Sequence, residues 1–81
     1  MTNKKQNNFQ TQDLGCAAAL ISCGLAMVGF DKSDPRKVLF IFEQDENLGE
    51  TLNKYWADKL LVNPRTLFNN IKMLKNRIYS E

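Results

Sequence analysis

The sequence predicts a small α+β domain in which helices pack on a β-hairpin, with elements in the order α-β-β-α-α. Three observations carry that expectation. Apolar residues recur at helical spacing in three stretches, around 14–25, 48–56 and 67–78. Between the first two lies Lys37–Phe42, where Val38, Phe40 and Phe42 alternate with Leu39 and Ile41 as successive residues of a strand do. Ahead of it, Lys32-Ser33-Asp34-Pro35-Arg36 is rich in turn formers and of hairpin length. The 81 residues make one domain at most. A domain of that size buries only about 60% of its unfolded surface, so its large apolar side chains are expected to serve the core first.

Residues 1–10, rich in Asn, Gln and Lys, read as a flexible lead, with Phe9 placed to staple onto the first helix. The domain itself is expected over 11–81. Its first helix runs from Thr11, a good N-cap, to Cys23, with Asp13 in the first turn, where the helix dipole favours an acid. Leu14, Ala17, Ala18, Ile21 and Leu25 mark one face, while Cys16, Leu20 and Cys23 mark a second, so the helix is expected to be covered on more than one side. Ala17-Ala18-Ala19 would let another backbone approach closely, and Gly24 is the expected left-handed C-cap.

The first strand is expected over 25–31 and the second over 37–42. Because both faces of the second strand are apolar, either helices cover both sides or one face meets another chain. Glu43-Gln44-Asp45-Glu46-Asn47 forms an acidic connector into a helix over 46–58, whose apolar stripe is Leu48, Leu52, Tyr55 and Trp56. Leu60-Leu61-Val62 reads either as a short third strand or as a tight turn. Asn63-Pro64 is an N-cap followed by proline at the first helical position. The last helix then runs to Tyr79, with Leu67, Phe68, Ile71, Leu74 and Ile78 on one face.

Composition narrows the chemistry. The chain has no histidine, the commonest general base and metal ligand. Two cysteines do not make a four-ligand zinc site. Seven residues apart in a helix, Cys16 and Cys23 lie about 10 Å from one another, beyond disulfide reach. They read as reduced, buried small hydrophobes. Asp31 and Asp34 beside Lys32, Arg36 and Lys37 read as a solvated turn, and Glu43, Asp45 and Glu46 lack the loop spacing of a calcium site. No nucleophile elbow, zinc-protease helix, phosphate loop or dinucleotide turn is present. No enzyme activity, cofactor or metal is expected. The longest apolar run, about eight residues from Leu14, is far short of the ~20 that span a membrane. Polar residues rather than an apolar stretch follow Lys4 and Lys5, so the expectation is no signal peptide and a cytoplasmic setting.

Charge is uneven along the chain. Residues 1–50 hold five basic and seven acidic residues (−2), and residues 51–81 hold six basic and two acidic (+4). On the last helix Arg65, Asn69, Lys72 and Asn76 share one polar face with Lys75 alongside. Cations neutralise phosphates and asparagines read base edges, so these five residues are the candidate nucleic-acid-binding set. Lys32, Arg36 and Lys37 form a candidate secondary basic turn, and Tyr55 and Trp56 offer faces for stacking. The bland alternative is that amides and cations merely solvate the outside of an amphipathic helix. Residues 56–67 also resemble a bacterial helix-turn-helix, which would turn Asn63, Arg65, Asn69 and Lys72 toward a major groove. Against it, Leu61 stands where glycine is usual and Asn70 where an apolar residue normally closes the two helices together, and Phe68 would be half exposed on the groove-facing side.

From Thr11 onward the chain resembles a small uncharacterised domain family of bacterial and phage genomes. The resemblance is carried by Thr11-Gln12-Asp13-Leu14, Ala17-Ala18 with Gly24, Val38–Phe42 after Asp34-Pro35-Arg36, Tyr55-Trp56, Lys59-Leu60, Val62-Asn63-Pro64-Arg65 and Leu74-Lys75-Asn76-Arg77-Ile78-Tyr79. Cys16 and Cys23 depart from what the family leads one to expect. The resemblance implies a single-domain cytoplasmic protein of a phage or mobile element and brings no catalytic residue with it. Two functions are expected, and they are compatible, since dimers often present paired basic helices to DNA. One is a nucleic-acid-binding accessory contacting DNA or RNA through the last helix. The other is a protein-interaction module, as a homodimer or an inhibitor of a host protein; neither involves a membrane.

Overall fold

A computed structural model describes residues 8–34 and 36–80. Its elements are β1 (Phe9–Thr11), α1 (Leu14–Ser22), β2 (Met27–Asp34), β3 (Lys37–Phe42), α2 (Glu46–Trp56) and α3 (Pro64–Ser80). The domain is α+β, with one strand more than expected. Of the expected flexible lead, residues 1–7 lie outside the described residues, whereas Phe9 and Gln10 belong to β1. The three strands form one antiparallel sheet in the order β1-β3-β2. Phe9 pairs with Phe42, Gln10 with Ile41 and Thr11 with Phe40. The physical reason is that β3, apolar on both faces, lies at the sheet centre and needs hydrogen-bond partners along both edges. The third strand is therefore β1 and not Leu60-Leu61-Val62, which has neither strand nor helix structure.

The helix entry is corrected in the same region. Thr11 is the last residue of β1, and the N-cap is Asp13, whose Oδ1 accepts from the Cys16 N–H at 3.1 Å. Thr11 Oγ1 accepts from the Asp13 N–H (3.1 Å) and braces the strand-to-helix turn. At the other end Gly24 has φ +90°. The Leu25 N–H reaches Leu20 O (3.0 Å) and the Gly24 N–H reaches Ile21 O (2.9 Å), the paired bonds of a Schellman ending.

β2 contains irregular register at two places, between Met27 and Gly29 and between Asp31 and Asp34. Since Met27 pairs with Phe42 and Gly29 with Ile41, Val28 is the extra residue of a bulge. The bulge reverses the alternation, and Met27 and Phe30, three apart, consequently both pack against the core. The hairpin is tighter than the five-residue linker suggests. Strand pairing extends to Asp34 opposite Lys37, and Asp34 Oδ1 accepts from the Arg36 N–H (2.9 Å).

α1 is the central element. Cys16, Ala17, Ala18, Ala19 and Leu20 are all buried, which requires cover all round the helix. β1 and the sheet, α2 and α3 provide it. Phe40 and Phe42 of β3, Leu48 of α2 and Leu74 of α3 complete the core, each contributing roughly 1.5–3 kcal/mol by burial. A polar link supports the α1–α3 contact: Asn70 Nδ2 donates to Ser22 Oγ (2.9 Å), which donates to Ala18 O (2.8 Å). On the opposite sheet face Leu39 and Ile41 are half-buried and stand outside the core cluster. Among the described residues, helices thus cover one face of β3, not both. Cys16 is buried as expected, but Cys23 is exposed at the α1 C-cap.

α2 begins at Asp45, whose Oδ1 accepts from the Asn47 N–H (2.7 Å). It stops two residues before the expected end, because Asp58 is left-handed (φ 61°). The Lys59 N–H reaches Lys54 O (2.8 Å) and the Asp58 N–H reaches Tyr55 O (3.2 Å), a second Schellman ending with Asp in glycine's usual place. α3 starts as expected. Asn63 Oδ1 accepts from the N–H groups of Arg65 (2.9 Å) and Thr66 (3.1 Å), and Pro64 occupies the first helical position.

Candidate functional site

α3 turns two different faces outward and inward. Leu74 is fully buried, and Leu67, Ile71 and Ile78 pack against the core. At about 100° per residue Arg65, Asn69, Lys72 and Asn76 fall within an arc of roughly 60°, and Lys75 lies about 60° from Lys72. All five are exposed. The structure therefore brings the whole set onto one open flank. Between Asp58 and Glu81 the chain has no acidic residue. Among the described residues the ion pair formed is Lys54 with Glu50 (3.6 Å) on α2, and Arg65, Lys72 and Lys75 take part in none. The acids of the connector Glu43–Asn47 do not neutralise them.

Two aromatic residues join this flank. Phe68, expected on the apolar face, is 62% exposed, and Tyr79 is 81% exposed. Phe68 sits about 60° beyond Ile71 around the helix, at the margin of the apolar stripe, and α1 covers the stripe without reaching it. The Lys72 ammonium lies 5.7 Å from the Phe68 ring centroid, within cation–π range. The interleaving of rings and cations is what sequence reasoning missed; the i, i+4 spacing of Phe68 and Lys72 was the available signal. Tyr55 and Trp56 are less suited to stacking as a pair. Trp56 is 61% exposed, but its ring meets Tyr55 edge-on at 4.7 Å and 77°. Tyr55 is half-buried, and its hydroxyl faces Asp13 Oδ2 at 3.5 Å. Burial first, then the Asp13 charge, raises its pKa.

The secondary basic turn separates into two parts. Arg36 and Lys37 are exposed at the hairpin end. Lys32 donates through Nζ to Ile78 O (2.7 Å), placing a cation on the last turn of α3, where the helix dipole favours it. Its ammonium and the Arg77 guanidinium both approach the Phe30 ring, at 6.0 and 5.7 Å. Lys32 thus fastens α3 to β2.

Residues 57–70 do not form a helix-turn-helix. Seven residues, 57–63, separate α2 from α3, where the motif uses a turn of three or four, and the left-handed position is Asp58, not Leu61. Both helices pack on α1 rather than chiefly on each other. A cleft of about 320 Å³ lies where their mutual contact would be, lined by Gly15 and Ala19 of α1, Tyr55, Asp58, Leu60, Val62, and Leu67 and Ile71 of α3. Leu61, by contrast, is 92% exposed.

The turn carboxylates are occupied locally. Asp31 Oδ1 accepts from the Ser33 N–H (2.8 Å) and hydroxyl; the hydroxyl bond first, then the backbone bond, lowers its pKa. Among the described residues no group of three or more Cys, Asp or Glu side chains is arranged to hold a metal. No helix among them is long and apolar enough to cross a membrane. The buried Cys16 thiol has its pKa pushed up to about 11, by desolvation first and then by the Asp13 charge, so at neutral pH it is the protonated thiol, a poor nucleophile.

Residues 6–80 match the family model of a domain of unknown function, DUF5659, and the chain belongs to that family. No curated protein and no solved structure matches it.

Proposed function

Starting from a family whose description assigns no activity, we propose that this chain is a non-enzymatic nucleic-acid-binding accessory whose contact surface is the outward flank of α3. The observation that carries the reading is the gathering of Arg65, Lys72 and Lys75 on one exposed, acid-free face together with Asn69 and Asn76. Supporting it, α3 has 17 residues and no carboxylate, and among the described residues Arg65, Lys72 and Lys75 form no ion pair; phosphates are attracted to such a cationic surface. The free cysteines fit a reducing cytoplasm, and a bacterial or phage setting follows from the resemblance described above.

The test is binding of the full chain to nucleic acid across a salt series. The logarithm of the binding constant is expected to fall linearly with the logarithm of salt concentration. Lys72→Gln and Lys75→Gln should each reduce the slope by about one. Binding that ignores salt, or no binding at low salt, would end the proposal.

A second reading, a protein-interaction module, is favoured by the outer sheet face, where Val28 is exposed and Leu39 and Ile41 are half-buried outside the core. A homodimer through that face would appear as twice the monomer mass in light scattering and revert on Leu39→Lys. A monomer at all concentrations would count against it.

A further inference from the structure

Resting on the nucleic-acid reading, we infer that the ligand is single-stranded and that Phe68 and Tyr79 are the rings on which its bases stack. The two residues are eleven apart, three helical turns plus about 20°, so they lie on one stripe of α3 roughly 16.5 Å from one another. Both rings are largely open to solvent, and the core does without them. Lys72 and Lys75 lie between them along the helix, one on each side of the stripe. The order along the surface is ring, cation, cation, ring.

That order matches the alternation of base and phosphate in a single strand. With the Lys72 ammonium 5.7 Å from the Phe68 centroid, a phosphate neutralised by Lys72 brings its own base within reach of the ring. A single strand has free base faces, and stacking on aromatic rings is tolerant of sequence. In a duplex those faces are already stacked on one another. A helix entering the major groove meets base edges, where an apolar ring finds little beyond a thymine methyl group. The spacing also sets the register: about 16.5 Å is close to five stacked steps of about 3.4 Å, fewer if the strand is extended. The two rings therefore take non-adjacent nucleotides and the lysines take the phosphates between them.

The experiment is fluorescence anisotropy of the full chain with a labelled oligothymidylate and with a labelled duplex of equal length, at several salt concentrations. The strand should bind more tightly than the duplex. Phe68→Leu and Tyr79→Leu, which keep an apolar side chain and remove the ring, should each weaken strand binding about tenfold and leave its salt slope unchanged. Tyr79→Phe should bind as the parent does. Both positions are exposed, and circular dichroism of each variant confirms the fold; the two sites test the same claim independently. Leucine variants that bind like the parent, or tighter binding of the duplex, would overturn the inference while a steep salt slope leaves the nucleic-acid reading in place. Absence of binding to either ligand at low salt would overturn both.

Discussion

The two Schellman endings should respond in opposite directions to substitution. Gly24 has φ +90° with nothing within 4 Å of the position a Cβ would take. Gly24→Ala therefore meets no clash with neighbours, and its cost is conformational alone. A left-handed backbone costs an L-residue roughly 1–2 kcal/mol. The smaller entropy of the unfolded alanine chain returns about 0.4–1 kcal/mol. The net loss is about 1 kcal/mol, which in a domain of this size lowers Tm by roughly 4–8 °C. Asp58 occupies the same place in the α2 ending at φ 61°. Asp58→Gly relieves the same steric cost, less what aspartate already tolerates, and should raise stability by a few tenths to about 1 kcal/mol. Urea unfolding followed by circular dichroism measures both, and an unchanged m-value shows that only stability moved. A Gly24→Ala variant as stable as the parent, or an Asp58→Gly variant less stable, would refute the reasoning, because the bonds closing the two helices would not then depend on the left-handed residue.

Two further outcomes follow from the core. Leu74 is 0% exposed and joins α3 to the core around α1, so Leu74→Ala should cost about 2–5 kcal/mol; a smaller loss in urea unfolding would mean that α3 is not anchored through it. The Cys16 thiol has its pKa raised from 9.0 to about 11 in the fold. A raised pKa on a group that ionises to an anion means that the unfolded chain loses its proton first, so stability is intact below pH 9 and falls as pH rises from about 9 to 11, by on the order of 2 kcal/mol. Comparing the alkaline stability profile with that of Cys16→Ala isolates this effect from the tyrosines and lysines, and parallel profiles would contradict it.

Local chemistry made much of the fold legible. Lys37–Phe42 alternates so strongly that its limits as β3 coincide with those read from the residues. Asn63-Pro64 marked the start of α3, and Gly24 the end of α1, because caps act through bonds to immediate neighbours. β1 was not legible. Phe9-Gln10-Thr11 is too short to show a period, and it becomes a strand only because β3 has an open edge beside it. Thr11 and Asp13 are both good N-caps, and sheet pairing of Thr11 decided between them. The site divides along the same line. The polar arc of α3 follows from 3.6 residues per turn, whereas the exposure of Phe68 depends on how far α1 reaches around the helix. Lys32 gave no local sign of its contact with Ile78, 46 residues away.

By itself the sequence determined the α+β class, the Gly24 end of α1, the Asn63-Pro64 start of α3, the central strand and the one-sided basic face of the last helix, since each arises from interactions within a few residues. Only the tertiary structure decided that a third strand closes the sheet edge, that α2 and α3 pack on α1 instead of forming a helix-turn-helix, and that Phe68 and Tyr79 stand open among the lysines. Those outcomes depend on which surfaces compete for the same partner across the chain, and a small core built around one alanine-rich helix has room for only some of them.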